Sequence, residues 1–291
     1  MSSKDKKAEG RVLLPSTIVP TRYDLKLTPD LEAFTFNGDI TIELTTSADL
    51  EKDCKEIVMH AKELCFISAS FVVAGAAAVE AEEIRDNKKA TTVTFSFPEA
   101  IPASSTITLA IKYIGFLNNQ MCGFYRSSYT NIHGEKKIMA STQFESLDAR
   151  RCFPCVDEPA AKAVFGVTLV VPAALTAFSN MPEKCSKSLE GGKLRETTYL
   201  DTPIMSTYLV AFCIGEFDYV QAQTANGVLV KVYTPPGKSD AGQFALDCAT
   251  KALDAYDEFF GIPYPLPKLD MVAIPEFAMG AMEVSYMLYD E

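Results

Sequence analysis

The sequence predicts a mainly β protein whose C-terminal part changes to mixed β and α structure. From Tyr23 onward, apolar side chains alternate with polar ones in short runs, the period of two expected of half-buried strands. Turn-forming pairs such as Asn37-Gly38 separate these runs. Helical spacing of apolar residues begins only after Pro235-Pro236-Gly237. These observations indicate a β-sandwich or saddle-shaped sheet followed by a second unit.

The first unit is expected to be all β. Residues 1–10 are charged and polar and are predicted to form a flexible N-terminus, and the β domain covers residues 11–220. A hairpin tip is expected at Gly191-Gly192. The strands of this β domain are predicted at 23–27, 36–44, 57–59, 66–73, 93–97, 107–113, 137–141, 163–171, 196–200 and 208–214.

The second unit, residues 221–291, is predicted to begin with a strand at 228–232 and to continue with a helix. Ser239 is the expected N-cap of that helix, and Gly261 followed by Pro263 is expected to end it. The apolar positions with helical spacing are Leu246, Ala249, Leu253, Tyr256 and Phe260.

Composition favours a cytoplasmic protein with a packed core. The chain has 291 residues, of which 48% are hydrophobic, and a net charge of −11. That charge argues against nucleic acid or a membrane surface as partner. No apolar run is long enough to span a membrane, and no apolar segment follows the charged start. The eight cysteines are dilute and irregularly spaced, which indicates free thiols in a reducing compartment.

The stretch from Pro275 to Glu283 is a candidate binding site. Gly280 and Ala281 would let another backbone approach closely, and Glu283 follows within an otherwise apolar run. A partly desolvated carboxylate there would bind a cation such as an amine. The alternative is an edge strand in which Gly280 marks a bulge and Glu283 faces water.

A second candidate stretch runs from Thr142 to Glu145 and continues with a charged loop at 148–159. In that loop we expect Arg150 or Arg151 to pair with Asp148, Asp157 or Glu158. Cys152 and Cys155 form a C-x-x-C pair, for which packing is favoured over half a zinc site or a redox couple. His60 and His133 are isolated, and both are interpreted as surface or satisfied core residues.

Five collinear signatures resemble the zinc aminopeptidases related to aminopeptidase N, and especially the cytosolic puromycin-sensitive branch. The resemblance extends from about Leu14 to the end of the chain. It implies a β-saddle domain followed by the start, incomplete here, of a thermolysin-like α+β catalytic domain. The signatures are 142–145, 148–159, 228–236, 263–268 and 280–283.

The resemblance also implies the substrate and the residues that bind it. Glu145 and Glu283 would together hold the α-ammonium of a peptide, which suits an exopeptidase because two carboxylates favour a charged amine over an internal amide. Gln143 and Met279 would line the pocket for the first side chain. Gly280 and Ala281 would contact the peptide backbone, and the substrate-binding set is completed by Met282.

Zinc is the cofactor that the resemblance implies, held by an H-E-x-x-H helix and a later Glu. The sequence contains no H-E-x-x-H, and its two histidines match no such motif. We therefore expect this chain, as the N-terminal portion of such an enzyme, to bind no catalytic zinc and to hydrolyse nothing alone. Its oligomeric state is not indicated by the sequence.

One departure from the family falls next to Glu283. The family has Asn and then Trp-Gly after this Glu, whereas this chain has Val284-Ser285-Tyr286 and contains no Trp. A shifted strand register and a sequence error are both open explanations. The departure favours a rival hypothesis, a non-catalytic β module that binds peptides or a protein partner.

Overall fold

The structure, a computed structural model, describes residues 13–278, 280–284 and 287–290, with side chains up to Glu283. This part of the chain forms twenty strands and one α-helix, α1 (Gln243–Phe260), which confirms the mainly β class. The strands are β1 (Ile18–Asp30), β2 (Thr35–Thr46), β3 (Glu56–His60), β4 (Cys65–Val73), β5 (Val79–Glu80), β6 (Glu83–Asn87), β7 (Thr92–Ser96), β8 (Thr106–Phe116), β9 (Gly123–Thr130), β10 (Lys136–Gln143), β11 (Val164–Pro172), β12 (Thr176–Ser179), β13 (Glu183–Leu189), β14 (Leu194–Tyr199), β15 (Phe212–Gly215), β16 (Asp218–Gln223), β17 (Leu229–Thr234), β18 (Lys268–Ala273), β19 (Ala281–Val284) and β20 (Met287–Asp290).

Eight strands form a large sheet in the order β13-β14-β11-β1-β2-β8-β4-β5. β1 and β11 run parallel, and the other neighbours run antiparallel. Tyr23, Leu25 and Leu27 of β1 are buried on one face, as the period of two predicts. The predicted hairpin tip at Gly191-Gly192 joins β13 to β14 and is confirmed.

A three-stranded sheet in the order β3-β7-β6 packs on the buried face of the large sheet. Phe71 and Phe97 meet edge to face with ring centroids 4.8 Å apart, and Phe66 and Phe95 meet at 5.4 Å. The two sheets thus close a sandwich around aromatic and aliphatic side chains.

A four-stranded sheet in the order β12-β15-β10-β9 is buried on both faces. Phe124, Ala140 and Phe212 belong to the core of the sandwich. Tyr125 and Met139, on the opposite face, belong to a second core shared with the C-terminal strands. This sheet therefore joins the two halves of the chain.

The C-terminal sheet has the order β16-β17-β18-β20-β19. One face of this sheet packs against the four-stranded sheet. Helix α1 covers the opposite face, where Leu246 packs against Val230 and Val232. Gly261 ends α1 in the left-handed conformation with φ 63°, as predicted. Strand β15 is the last strand of the four-stranded sheet in chain order, and it ends at Gly215. Strand β16, the first of the C-terminal sheet, begins at Asp218. The division into domains near residue 220 stays a prediction.

Two predicted elements are corrected. Ser239 does not cap α1, because residues Ser239–Gly242 form a 3-10 turn and the helix begins after Gly242 without a side-chain cap. The strand expected at 208–214 is only β15, because Thr207–Leu209 form another 3-10 turn. The Thr207 hydroxyl fixes that turn by donating to Asp157 Oδ1 at 2.9 Å.

Candidate functional site

Strand β10 leads directly into the first candidate stretch. Its final residue, Gln143, lies opposite Gly123 of β9. Phe144 is buried and packs edge to face with Phe153, at 5.9 Å between ring centroids. Glu145 is exposed. The buried Phe144 thus anchors the chain at the point where Glu145 reaches the surface.

The amide of Gln143 is buried without a partner. Its side-chain nitrogen and oxygen make no hydrogen bond to the described residues, although the residue is only 3% exposed. Leaving such a group unpaired costs about 1–3 kcal/mol. A buried polar group of this kind needs an explanation in a native structure, and a water, an ion or a functional role can supply it.

The loop after Glu145 is fixed by a buried charge network. Arg150 Nε donates to Asp157 Oδ2 at 2.9 Å, and Arg151 Nε donates to Asp148 at 2.7 Å, so these predicted pairings are confirmed. Burial raises the pKa of Asp157, and the hydrogen bond from Arg150 opposes that shift. Glu158, the third candidate partner, instead accepts from the backbone N–H of Leu14.

His60 is a satisfied core residue, as interpreted from the sequence. Its Nδ1 accepts the backbone N–H of Asp157 at 3.1 Å. Burial, with a smaller effect from the charge of Arg150, lowers the pKa of His60 to about 4. His133 is exposed.

Cys152 and Cys155 are fully buried free thiols in the sandwich core. Burial raises the pKa of each thiol well above the ordinary value of a cysteine. A protonated, inaccessible thiol is a poor nucleophile and a poor metal ligand, so the packing role is favoured.

The second candidate stretch is attached to the four-stranded sheet. The backbone N–H of Ser128 donates to Glu276 Oε2 at 3.0 Å, and the Tyr125 hydroxyl donates to the Glu276 carbonyl at 2.9 Å. Phe277 and Met282 are buried in the same core as Tyr125. No sequence pattern predicts Tyr125, Ser128 or Glu276, because contacts between distant segments leave no periodic signal.

Strand β19 is an edge strand that begins at Ala281. Gly280, just before it, is exposed, and a Cβ added there would meet no described heavy atom within 4 Å. Met282 is buried and Glu283 is exposed, so any contact from Met282 to a peptide would come from its backbone. No bulge interrupts the described β19–β20 register. Met279 and the side chain of Val284 lie outside the described residues.

The structure brings the two stretches to a common element, β9. Gln143 pairs with Gly123 of that strand, and Met282 shares a core with Tyr125 of the same strand. Glu145 and Glu283 are both exposed, and neither has an ion pair or hydrogen bond among the described residues. The partial desolvation expected for Glu283 is therefore wrong for the described residues, because side chains alternate along β19 and Met282 takes the buried face.

The donor groups present do not fit a zinc site. Within the described part of the chain, no three His, Cys, Asp or Glu side chains are grouped so that they could hold a metal ion. The whole sequence offers only two histidines, one buried against Asp157 and one exposed.

The described residues also include no helix with the length and apolar character needed to cross a membrane. Helix α1 has 18 residues and presents charged side chains along its length.

The described residues thus form a β sandwich joined through a doubly buried sheet to a smaller β and α unit. The Peptidase M1 N-terminal domain matches residues 19–209, and the Peptidase family M1 domain matches residues 244–290. The chain belongs to peptidase family M1.

Similar proteins include three aminopeptidases. Aminopeptidase M1 of Arabidopsis thaliana is 46% identical over 97% of this chain and 32% of its own length. The puromycin-sensitive aminopeptidase of Caenorhabditis elegans is 43% identical over 93% of this chain and 28% of its own. The alanine/arginine aminopeptidase of Saccharomyces cerevisiae is 42% identical over 97% and 32%, respectively. The chain thus spans about a third of the length of these curated relatives.

Proposed function

We propose that this chain is the peptide-recognition part of a cytoplasmic zinc aminopeptidase that removes single residues from peptide N-termini. Its β-saddle domain covers residues 11–220, and the start of the catalytic domain covers residues 221–291. Glu145 and Glu283 bind the α-ammonium of the peptide. Nucleic acid and membranes are not partners, in keeping with the net charge of −11.

One observation supports this proposal best: Glu145 and Glu283 are exposed and have no partner among the described residues, and both stretches contact β9. Glu145 follows β10, which pairs with β9, and Glu283 lies on β19, which shares a core with β9. Exposed carboxylates with no cation of their own are free to bind one from a ligand. The unpaired amide of Gln143, two residues before Glu145, is suited to the first side chain of the peptide. The open space at Gly280 is suited to the peptide backbone.

The chemical role of each group follows from charge and geometry. Two carboxylates around one ammonium select a free amino terminus, because an acylated nitrogen has neither the charge nor the three donors. Gly280 and Ala281 at the start of an edge strand offer backbone groups to an extended peptide. Zinc would supply the hydrolytic chemistry, and its ligands are absent from this sequence. The 291-residue chain is therefore expected to bind and not to hydrolyse.

The test compares peptide binding with and without a free amine. The tripeptide Ala-Ala-Ala and its N-acetyl form are titrated into the isotopically labelled chain and followed by NMR. Glu145→Gln and Glu283→Gln are each expected to weaken binding of the free peptide about tenfold or more, and to leave the acetylated peptide unaffected. Glu99→Gln, at an exposed position remote in sequence, is the matched control.

Two results would contradict the proposal. Equal binding of both peptides would remove the amine-recognition role. Amidase activity of the purified chain that needs zinc and disappears with a chelator would contradict the expected inactivity. The rival hypothesis is a non-catalytic binding module, which is favoured by Val284 in place of the family's Asn. It predicts the same selectivity for the free amine, together with a native protein of 291 residues.

A further inference from the structure

Glu276 connects the stretch that ends in Glu283 to strand β9. Its carboxylate accepts the backbone N–H of Ser128 at 3.0 Å, and the Ser128 hydroxyl lies 3.5 Å from the other carboxylate oxygen. Its carbonyl accepts the hydroxyl of Tyr125 at 2.9 Å. Strand β9 thus binds Glu276 through both its side chain and its backbone.

Strand β9 also fixes the other candidate carboxylate. It pairs with β10 along its whole length, from Lys136 opposite Thr130 to Gln143 opposite Gly123. Glu145 follows β10 after the buried Phe144. Strand β9 thus contacts both stretches, through its pairing with β10 on one side and through Glu276 on the other.

The contacts of Glu276 are not needed to fill the core. Phe277 and Met282 already pack beside Tyr125, and these side chains are 6%, 4% and 0% exposed. Glu276 itself is exposed. A surface carboxylate contributes little to folding, but its hydrogen bonds fix where the following backbone lies. Position, more than stability, is what these bonds control.

We propose that Tyr125, Ser128 and Glu276 form a latch that holds Glu283 at the distance from Glu145 that fits a peptide α-ammonium. The three are positioning residues, since their proposed effect on the peptide is exerted through Glu283. This inference rests on the proposed function and adds to it the residues that set its amine selectivity.

The latch is tested by the ratio of affinities for Ala-Ala-Ala and its N-acetyl form, measured on the 291-residue chain by the same NMR titration. Glu276→Ala is expected to reduce this ratio about tenfold, because the loop loses a charge-assisted hydrogen bond. Glu276→Gln keeps an oxygen that accepts from Ser128 and is expected to restore the ratio to within about twofold of the original. Tyr125→Phe keeps the ring in the core and is expected to reduce the ratio about threefold to tenfold.

Each outcome distinguishes the latch from the proposed function. If Glu145→Gln and Glu283→Gln leave the ratio unchanged, the amine site itself is wrong and the latch falls with it. If those variants reduce the ratio and Glu276→Ala does not, only the latch is wrong. A merely structural role predicts that Glu276→Ala weakens both peptides equally or lowers the midpoint of urea unfolding, and that result would also overturn the latch. Glu99→Ala is the matched control.

Discussion

At the scale of single residues, two glycines differ in whether packing around them leaves room for a side chain. A Cβ at Gly280 would meet no described heavy atom within 4 Å, whereas one at Gly38 would lie 2.2 Å from Cζ of Tyr113. Tyr113 is fully buried and cannot move aside without disturbing the core. Gly38 is thus required by the fold, and Gly280 is not.

We therefore predict opposite effects for two identical substitutions. Gly280→Ala should change the free energy of unfolding by less than about 0.5 kcal/mol and should weaken binding of Ala-Ala-Ala, because the methyl group occupies the space proposed for the peptide backbone. Gly38→Ala should lose about 1–3 kcal/mol or more by overpacking. Urea unfolding and the NMR titration measure the two effects. Unchanged peptide affinity in Gly280→Ala would argue against a backbone contact at this position.

His60 gives a prediction about pH. Its folded-state pKa of about 4 lies below the ordinary value of 6.5, so the unfolded chain binds a proton that the folded chain does not. Its contribution to stability is present above pH 6.5 and is lost as the pH falls from 6.5 towards 4. His60→Asn retains an acceptor for the N–H of Asp157 and removes this titration.

The measurement is the difference in urea midpoint between the two chains at about pH 7.5 and about pH 4.5. The original chain should lose more stability than His60→Asn over this interval. Asp157 titrates in both chains, so its raised pKa cancels in the comparison. A constant difference between the chains would show that His60 is not held neutral by the fold.

At the scale of elements, Lys268 of β18 is bound to the end of β12 by a buried hydrogen bond and to Asp270 of its own strand by an ion pair. Lys268 Nζ donates to the carbonyl of Ser179 at 2.9 Å and also contacts Asp270. Burial lowers the pKa of Lys268 and raises the pKa of Asp270, and the ion pair opposes both shifts. The hydrogen bond to Ser179 links the C-terminal sheet to the four-stranded sheet, and the ion pair with Asp270 compensates the charge of Lys268 at the expense of desolvating both groups.

Removing one partner should be worse than removing both. Lys268→Met leaves the Asp270 carboxylate buried and uncompensated, and it should cost about 3–5 kcal/mol of unfolding free energy. Lys268→Met combined with Asp270→Leu should recover most of that loss. Lys112→Met is the control, because its pair with Asp39 is exposed and should contribute less than about 1 kcal/mol. A double variant no better than the single one would contradict this account.

The elements that the sequence predicts best are those whose signal is local. The alternation in β1, β2 and β8 corresponds to burial on one face of the large sheet. The start of α1 was not predictable from Ser239, because a 3-10 turn intervenes. The turn at Thr207–Leu209 depends on a hydrogen bond to Asp157, which lies in a distant loop. A tertiary contact thus decided the second exception.

The same limit applies to the candidate site. Glu145 and Glu283 follow from motifs that resemble a family, and the burial of Phe144 agrees with a strand-like run beside Glu145. The latch of Tyr125, Ser128 and Glu276 arises only when β9 meets the C-terminal sheet. The exposure of Glu283 likewise depends on which face of β19 packs on the core, and the packing of Met282 beside Tyr125 decides that.

At the scale of the whole molecule, α1 leaves an aromatic surface uncovered by the described residues. Only Leu246 of the predicted apolar stripe is fully buried. Phe259 and Phe260 stand 5.0 Å apart, and Tyr256 and Phe260 stand 5.9 Å apart. The exposed fractions are 80% for Phe244, 60% for Tyr256, 80% for Phe259, 62% for Phe260 and 70% for Ile262. The rings of Tyr256, Phe259 and Phe260 adjoin one another, and monomeric proteins rarely expose a large contiguous apolar surface.

We therefore predict that the 291-residue chain self-associates in solution through α1. Phe259→Glu should reduce the concentration dependence of the sedimentation coefficient, because it places a charge in the aromatic surface, and it should leave the urea midpoint unchanged. Ala252→Glu, at another exposed position of α1, adds the same charge without removing an aromatic ring and should have a smaller effect. Equal effects of the two substitutions would mean that net charge, and not the aromatic surface, controls association. A chain that stays monomeric at all concentrations would show that these rings are tolerated in water without a partner.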